Sequence, residues 1–240
     1  MLAARESSAG ADGLPGVTYL PIDQQDLPNE IKDRLRAAAR ALNESGSLSG
    51  GKRTHEFAMV DHFAQQLRER GWENLMRELA ITPTDLAFAL GQGFALVGAD
   101  VQGKDIPQLG RTGFFQVYKR SGEWAELSEE QLDVLTGDGT LISSEMLNGQ
   151  VGQHPATVEQ LRADDGAPLV NVEWVVNDRI LSLTTRNMPA ARALDLARQI
   201  SAQIESLPHG GWSRPYAYDE ENPLHRVTRA RTAAARVTGR

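Results

Sequence analysis

Apolar residues recur at helical spacing in the first third of the chain. A run that begins near Asp26 and ends in "NESG" places an apolar residue at every third or fourth position, the period of an amphipathic helix. A second run extends from Thr54 to Gly71, and a third, shorter one begins at Trp72. These runs predict a helical segment over residues 26–80, with apolar positions Ile31, Leu35, Ala38, Leu42, Phe57, Val60, Ala64, Leu67, Leu75, Met76 and Leu79.

After Pro83 the pattern changes to short apolar runs that are separated by glycines. "GFALVGADV" and "TGFFQVYKR" combine aliphatic and aromatic residues and predict two strands. "SEEQLDVL" predicts a short helix that Ser128 caps. "GQVGQHPATVEQLRADDG" predicts a further strand, because it ends in an Asp-Asp-Gly turn signal.

The clearest local unit is a β-hairpin. "PLVNVEWVV" and "RILSLTT" are separated by only two residues, Asn and Asp. A two-residue loop pairs Val176 with Arg179. The apolar side chains of both strands then fall on one shared face, as the cross-strand pairs Trp174–Leu181 and Val172–Leu183.

A helix follows the hairpin. Asn187 is the predicted cap, and Pro189 lies in the first turn, where its missing N–H has no cost. The helix is predicted over about 20 residues, or about 30 Å, at residues 188–207, which is long enough to cross a sheet. Its predicted buried stripe is Ala193, Ala197, Ile200, Ile204 and Leu207.

These elements predict an α+β fold: an N-terminal helical segment, followed by an antiparallel β-sheet packed against a long C-terminal helix. The predicted division of the chain has four parts. They are a disordered or extended N-terminus (1–25), the helical segment (26–80), the sheet-plus-helix domain (84–207), and an aromatic segment with an Arg-rich tail (208–240).

Composition narrows the classes of function. The 240 residues carry a formal net charge of −7 and no cysteine. The missing cysteines exclude disulfides, thiol catalysis and cysteine-type zinc sites. The acidic balance makes a nucleic-acid partner unlikely, because such a partner needs a dense basic face.

Two hydrophobic features bear on localisation. The best apolar run, Leu86 to Ala99, is shorter than the roughly 20 residues of a membrane-spanning helix. The N-terminus "MLAARESSAGADGLPG" has no apolar signal core. We therefore expect either a cytoplasmic chain, or a periplasmic one whose targeting or membrane segment lies outside this sequence.

"GSLSGGKRT", Gly46 to Thr54, matches most of the phosphate-loop pattern G-x-x-x-x-G-K-[ST]. A phosphate loop follows a buried strand and places Ser or Thr directly after the lysine. Here the preceding segment is predicted to be a helix, and Arg53 follows Lys52. We therefore interpret Gly46, Gly51 and Lys52 as part of a linker and expect no nucleotide cofactor.

The histidines form no clear constellation. His55 and His62 are seven residues apart, which is about 10 Å along a helix and too far for one zinc ion. His154 is interpreted as an isolated surface histidine, because no G-x-S-x-G motif accompanies it. Four acidic residues, Glu123, Glu126, Glu129 and Glu130, are interpreted as a solvated helix start. We therefore predict no catalytic residue, no metal site and no cofactor.

The segment "GGWSRPYAY" concentrates aromatic residues after the last predicted helix. Trp and Tyr provide a large contact area for little lost side-chain freedom. We hypothesise that a partner chain or a second copy is contacted by Trp212, Arg214, Tyr216 and Tyr218. The alternative is that these side chains pack on their own sheet. The terminal "HRVTRARTAAARVTGR" has five Arg and no acid, and we interpret it as a solvated end.

Residues 86–207 resemble a known type of domain. "GFALVGADV", then "GFFQVYKRSG", then "VNVEWVVNDRILSLTTRNMPAARALDLARQI" follow in an order that resembles the extracytoplasmic portion of transmembrane anti-sigma factors and related carrier and sensor domains. The chain lacks the transmembrane helix of those proteins and the cysteine-based zinc motif of many of them. The resemblance implies a binding or regulatory module.

Two functions are therefore expected. The first is a non-catalytic protein-interaction or sensory module, with a protein partner or self-association and with a small-molecule ligand as a possibility. The second is a hydrolase or transferase whose site combines His154 with acidic residues. A shallow apolar groove favours the first function, and a deep polar pocket that contains His154 and a carboxylate favours the second.

Overall fold

The computed structural model describes residues 17–48, 60–132, 140–177 and 179–207. These residues form an α+β fold with a large antiparallel sheet, as predicted. The helices are α1 (Asn29–Ser45), α2 (Val60–Arg70), α3 (Trp72–Arg77), α4 (Leu86–Leu90) and α5 (Ala190–Ser206). The strands are β1 (Thr18–Leu20), β2 (Ala95–Ile106), β3 (Gly110–Arg120), β4 (Glu123–Gln131), β5 (Leu141–Ser143), β6 (Gly149–Val151), β7 (His154–Arg162), β8 (Pro168–Val176) and β9 (Arg179–Arg186).

Seven strands form the main sheet, in the order β2-β3-β4-β9-β8-β7-β6, and all neighbours are antiparallel. A separate two-stranded sheet joins β1 to β5 in parallel, with Thr18 opposite Leu141. Short 3-10 helices follow each of these two strands, at Ile22–Gln24 and Ser144–Met146. The small sheet therefore connects the N-terminal part of the chain to the segment between β4 and β6.

The predicted hairpin is confirmed in its register. Val176 pairs with Arg179, and Trp174 pairs with Leu181. Trp174 is only 3% exposed, and its indole Nε1 donates a hydrogen bond to Ser201 Oγ on α5 at 2.8 Å. The main core lies between this face of the sheet and the helices α4 and α5.

Helix α5 carries most of the predicted stripe, because Ala193, Ala197, Ile200 and Ile204 are all buried. It has 17 residues and is therefore shorter than the predicted length of about 20. The predicted Asn187 cap is wrong. Pro189 is the cap residue, whereas Asn187 adopts a left-handed conformation and donates its Nδ2 hydrogen bond to the Gly122 carbonyl at 2.7 Å.

The helix predicted at "SEEQLDVL" is wrong, because Ser128 to Gln131 belong to strand β4. This strand lies between β3 and β9 and alternates buried residues with less buried ones. Its buried face contains the glutamate Glu129. Because Glu129 is charged but points inward, the sequence of β4 does not show the alternation of apolar and polar residues that marks a strand.

The helices of residues 26–80 contact different parts of the main sheet. Helix α1 lies near the small β1–β5 sheet and the 3-10 helix that follows β5. Helix α2 lies against β2 and stacks Phe63 on Phe115, with ring centroids 3.9 Å apart. The face of the sheet opposite α5 is thus covered at β2 and β3 by α2.

The outer edge of β7 is covered where it extends beyond β6. The side chain of Asn148 bonds to both the N–H and the carbonyl of Val158, at 2.7 Å and 2.9 Å. The N–H of Gln160 donates to the Gly46 carbonyl at 2.8 Å. These bonds replace a neighbouring strand and protect the edge against pairing with another chain.

Candidate functional site

A groove of about 340 Å³ lies on the face of the main sheet opposite α5. Its floor comes from β7, β8 and β9, and its walls come from the small sheet and α1. The apolar residues that line it include Tyr19, Leu35, Leu48, Leu141, Ile142, Met146, Leu147, Pro155, Val175 and Ile180. We call this cavity the β8–β9 groove.

The alternation of β8 and β9 produces the groove floor. Trp174 and Leu181 point into the main core, so their neighbours Val175 and Ile180 point to the opposite face. That face is only partly covered, and Ile180 is half-buried whereas Leu141 on the rim is 44% exposed. The groove therefore presents apolar side chains that solvent reaches.

The small sheet supplies the opposite wall. Tyr19 on β1 lines the groove and is half-buried. Burial raises the pKa of the Tyr19 phenol above its ordinary value, because the charged phenolate is disfavoured away from water. Tyr19 is thus a neutral side chain that combines an aromatic ring with a hydrogen-bonding hydroxyl.

Carboxylates hold the N-terminal pieces in place around the groove. The N–H of Ile22 donates to Glu145 Oε1 at 3.0 Å and to Oε2 at 3.1 Å. The N–H of Leu48 donates to Glu159 Oε1 at 2.9 Å. Both acids lie outside the lining residues but fix the segments that carry Tyr19 and Leu48.

Glu173 is an acidic residue of the groove lining. It is exposed, and Asn171 Nδ2 donates a hydrogen bond to its Oε1 at 3.1 Å. Among the residues that the structure describes, none forms an ion pair with it. The groove is thus an apolar surface with one exposed negative charge at its margin.

His154 is not the isolated histidine that we predicted. Its Nε2 lies 2.7 Å from Oε1 of Glu205. Glu205 belongs to the last turn of α5. The two side chains are 24% and 51% exposed. The pair lies outside the lining of the β8–β9 groove, although the next residue, Pro155, belongs to it. Sequence reasoning missed this contact because the two residues are 51 positions apart.

The prediction that Glu129 is solvated is also wrong. Glu129 and Arg179 are fully buried and paired, with Glu129 Oε2 at 2.8 Å from Arg179 Nη1. Thr84 donates to both carboxylate oxygens, from its N–H at 2.9 Å and its hydroxyl at 2.8 Å. Arg179 also donates to the Thr82 carbonyl at 3.0 Å. The pair therefore joins the segment before α4 to strands β4 and β9.

A second cavity, of about 410 Å³, lies at the start of α5. It is lined by the end of β7, the start of β8 and the segment that joins β9 to α5. Its polar lining residues are Gln160, Arg162 and Asn187, and none of them is buried.

Several predicted site residues lie outside the described residues. These are the hypothetical contact residues Trp212, Arg214, Tyr216 and Tyr218, together with Gly51, Lys52 and His55. The helix predicted before Gly46 is confirmed as α1, and Gly46 follows it in a left-handed conformation. His62 lies 3.9 Å from Asp100.

Within the described ranges, no group of three His, Asp or Glu side chains is placed to bind a metal ion. None of the described helices is long and apolar enough to span a membrane. Comparisons of the chain with protein-family models, with curated proteins and with solved structures give no match.

Proposed function

We propose that this protein is a non-catalytic interaction module that binds an apolar segment of a partner protein in the β8–β9 groove. The observation that carries the proposal is the lining of the groove, which is mostly apolar and includes one exposed carboxylate, that of Glu173. Binding sites are commonly concave and mostly apolar, with a few polar groups that fix orientation. The groove has this composition.

The size of the groove fits a short anchor. A cavity of about 340 Å³ is at the small end of the range of about 300–1,000 Å³ that ligand sites occupy. A partner would therefore contribute one or two large side chains to the groove, and Glu173 would meet a cation beside them.

We also propose a regulatory role for this protein. The resemblance to anti-sigma-factor domains supports a regulatory role, in which the bound segment belongs to another regulatory protein. In this role, the residues Trp212, Arg214, Tyr216 and Tyr218 contribute to the interaction, either with that protein or in self-association.

A hydrolase or transferase built around His154 is the second candidate. The contact between His154 and Glu205 supports it, because a carboxylate orients a histidine that acts as a base. The pair is partly exposed and lies outside the linings of both cavities described above. The position of the pair therefore favours this candidate less than the groove favours the first.

The experiment is a selection of peptides from a displayed library on the full chain, followed by fluorescence anisotropy with each selected peptide. We expect micromolar peptides that contain a large apolar residue next to Lys or Arg. Ile180→Glu places a charge on the groove floor and should weaken their binding at least tenfold. The matched control is Phe88→Glu, because Phe88 is 75% exposed on α4 and lies away from the groove.

Two outcomes contradict the proposal. In one, selection produces no peptide whose affinity depends on Ile180. In the other, Phe88→Glu and Ile180→Glu weaken binding equally, which would place the peptide elsewhere. Hydrolysis of a generic ester that is lost in both His154→Ala and Glu205→Gln would support the enzyme instead.

A further inference from the structure

We propose that the resting occupant of the β8–β9 groove is the chain's own segment Trp212–Tyr218, bound within the same molecule. The inference rests on the proposed function, since it names the regulation of that same groove. A partner segment would then gain access only by displacing this internal segment. Trp212 would occupy the apolar part of the groove, and Arg214 would pair with Glu173.

The end of α5 packs on the other face of the sheet, near the same end of the strands as the groove. Asn177, in the loop between β8 and β9, donates its Nδ2 hydrogen bond to the Ile204 carbonyl at 3.4 Å. Glu205 contacts His154, whose neighbour Pro155 lines the groove. Helix α5 thus ends near the end of the sheet where Pro155 and Val175 border the groove.

The connecting segment is long enough to reach the opposite face. Trp212 follows Leu207 by five positions, and five extended residues span up to about 17 Å. From α5 to an occupant of the other face, the chain passes two layer spacings of about 10 Å each, so the part of the segment that can reach the groove begins with the side chain of Trp212. Gly210 and Gly211 immediately precede Trp212 and permit the sharp change of direction that such a path requires.

The segment is chemically complementary to the groove. In an extended chain, residues two positions apart point to the same side, so Trp212 and Arg214 would both face the sheet if the segment binds in this conformation. The indole matches the apolar lining. The guanidinium matches Glu173, which has no ion-pair partner among the described residues. Pro215 favours the extended conformation, because it fixes its own φ and disfavours the helical region for Arg214.

Covalent attachment makes binding within one molecule efficient. A short flexible linker gives an effective concentration in the millimolar range. Even an intrinsic dissociation constant of about 100 µM would therefore keep the groove occupied at roughly ten to one. A partner would need to overcome this competition, and its apparent affinity would fall by the same factor.

The test uses the absence of cysteine from the chain, because an engineered pair is then the only thiol pair present. The full-length pair Ser213→Cys with Leu141→Cys places one thiol on the segment and one on the exposed groove rim. The matched control pairs Ser213→Cys with Phe88→Cys, an exposed position on α4. Disulfide formation in dilute protein with oxidised glutathione is followed by mass spectrometry under non-reducing conditions.

We expect the groove pair to form an intramolecular disulfide at least tenfold faster than the control pair. Adding Trp212→Ala should reduce the rate to that of the control. Glu173→Arg should also slow the reaction, and the charge exchange Glu173→Arg with Arg214→Glu should restore it. The charge exchange tests the register of the segment, since exposed ion pairs contribute little affinity on their own.

Equal rates for the two cysteine pairs would overturn the inference, and so would disulfide-linked dimers as the main product. Dimers would show that the segment binds a second copy. Either result leaves the peptide-binding experiment with Ile180→Glu unaffected. The cysteine pairs therefore test the internal segment, and the peptide-binding experiment tests the groove independently of it.

Discussion

Glu129 and Arg179 show how a buried charge depends on its partners. Both side chains have no exposed surface, so each loses its hydration on folding. Thr84 supplies two hydrogen bonds to the carboxylate, and the Thr82 carbonyl accepts one from the guanidinium. These bonds offset a desolvation cost that the attraction between the two charges does not always cover.

We expect Glu129→Leu to lower the free energy of unfolding by about 3–5 kcal/mol, because it leaves Arg179 charged and buried. The double variant Glu129→Leu with Arg179→Met should lose less than Glu129→Leu alone, since the buried guanidinium is removed together with its carboxylate. Urea unfolding followed by circular dichroism measures both. A single variant that loses under 1 kcal/mol would show that Arg179 has other adequate partners.

Trp174 connects the hairpin to α5 through packing and one hydrogen bond. We expect Trp174→Ala to cost about 3–5 kcal/mol, because it leaves a large cavity in the core. Trp72→Ala is the matched control, since Trp72 is 40% exposed and should lose less than half as much. A Trp174→Ala variant whose melting temperature stays within a degree or two of the parent would contradict the packing described here.

The contact between the β2–β3 hairpin and the segment after α3 depends on a glycine. Gly110 has φ +110°, and a Cβ atom there would lie 2.2 Å from the Glu78 carbonyl oxygen. The N–H of the next residue, Arg111, donates to this same oxygen at 2.7 Å. The hydrogen bond brings the two backbones too close for any side chain at position 110.

We expect Gly110→Ala to cost at least about 3 kcal/mol, because the backbones must separate and break this contact. Gly152→Ala is the control. Gly152 also has a positive φ, but its Cβ would meet nothing within 4 Å, so only about 1–2 kcal/mol of backbone strain applies. Thermal unfolding of the two variants measures the difference. Equal losses would mean that the strain, and not the Glu78 carbonyl, limits position 110.

The elements that the sequence predicts well are those whose local pattern is unambiguous. The β8–β9 hairpin has a two-residue loop and apolar residues in phase on both strands, and its register is confirmed. The stripe of α5 is confirmed at Ala193, Ala197, Ile200 and Ile204, whereas the predicted Leu207 follows the helix and is half-buried. Strand β4 was mispredicted because Glu129 occupies a buried position, and its partner Arg179 lies 50 residues away.

At the scale of the whole molecule, the candidate site could not be predicted from the sequence. The groove brings together Tyr19 from β1, Ile142 from β5 and Ile180 from β9. None of these residues belongs to a recognisable motif. Tyr19 pairs with Ile142 through the parallel contact of β1 with β5, and both approach Ile180 through the packing of the small sheet on the main sheet. The short stretch "VTYLPI" before α1 gives no indication that its three-residue strand pairs with a distant segment.

That pairing also determines the order in which the chain acquires its binding surface during synthesis. Thr18 pairs with Leu141, so β1 has no partner until more than a hundred further residues have been translated. The groove floor needs β9 as well, and Trp212 follows later still. Ribosomes add about 5–20 residues per second, so Tyr19 waits several seconds for its surroundings. A nascent chain therefore cannot bind a partner in this groove until β9 has been synthesised.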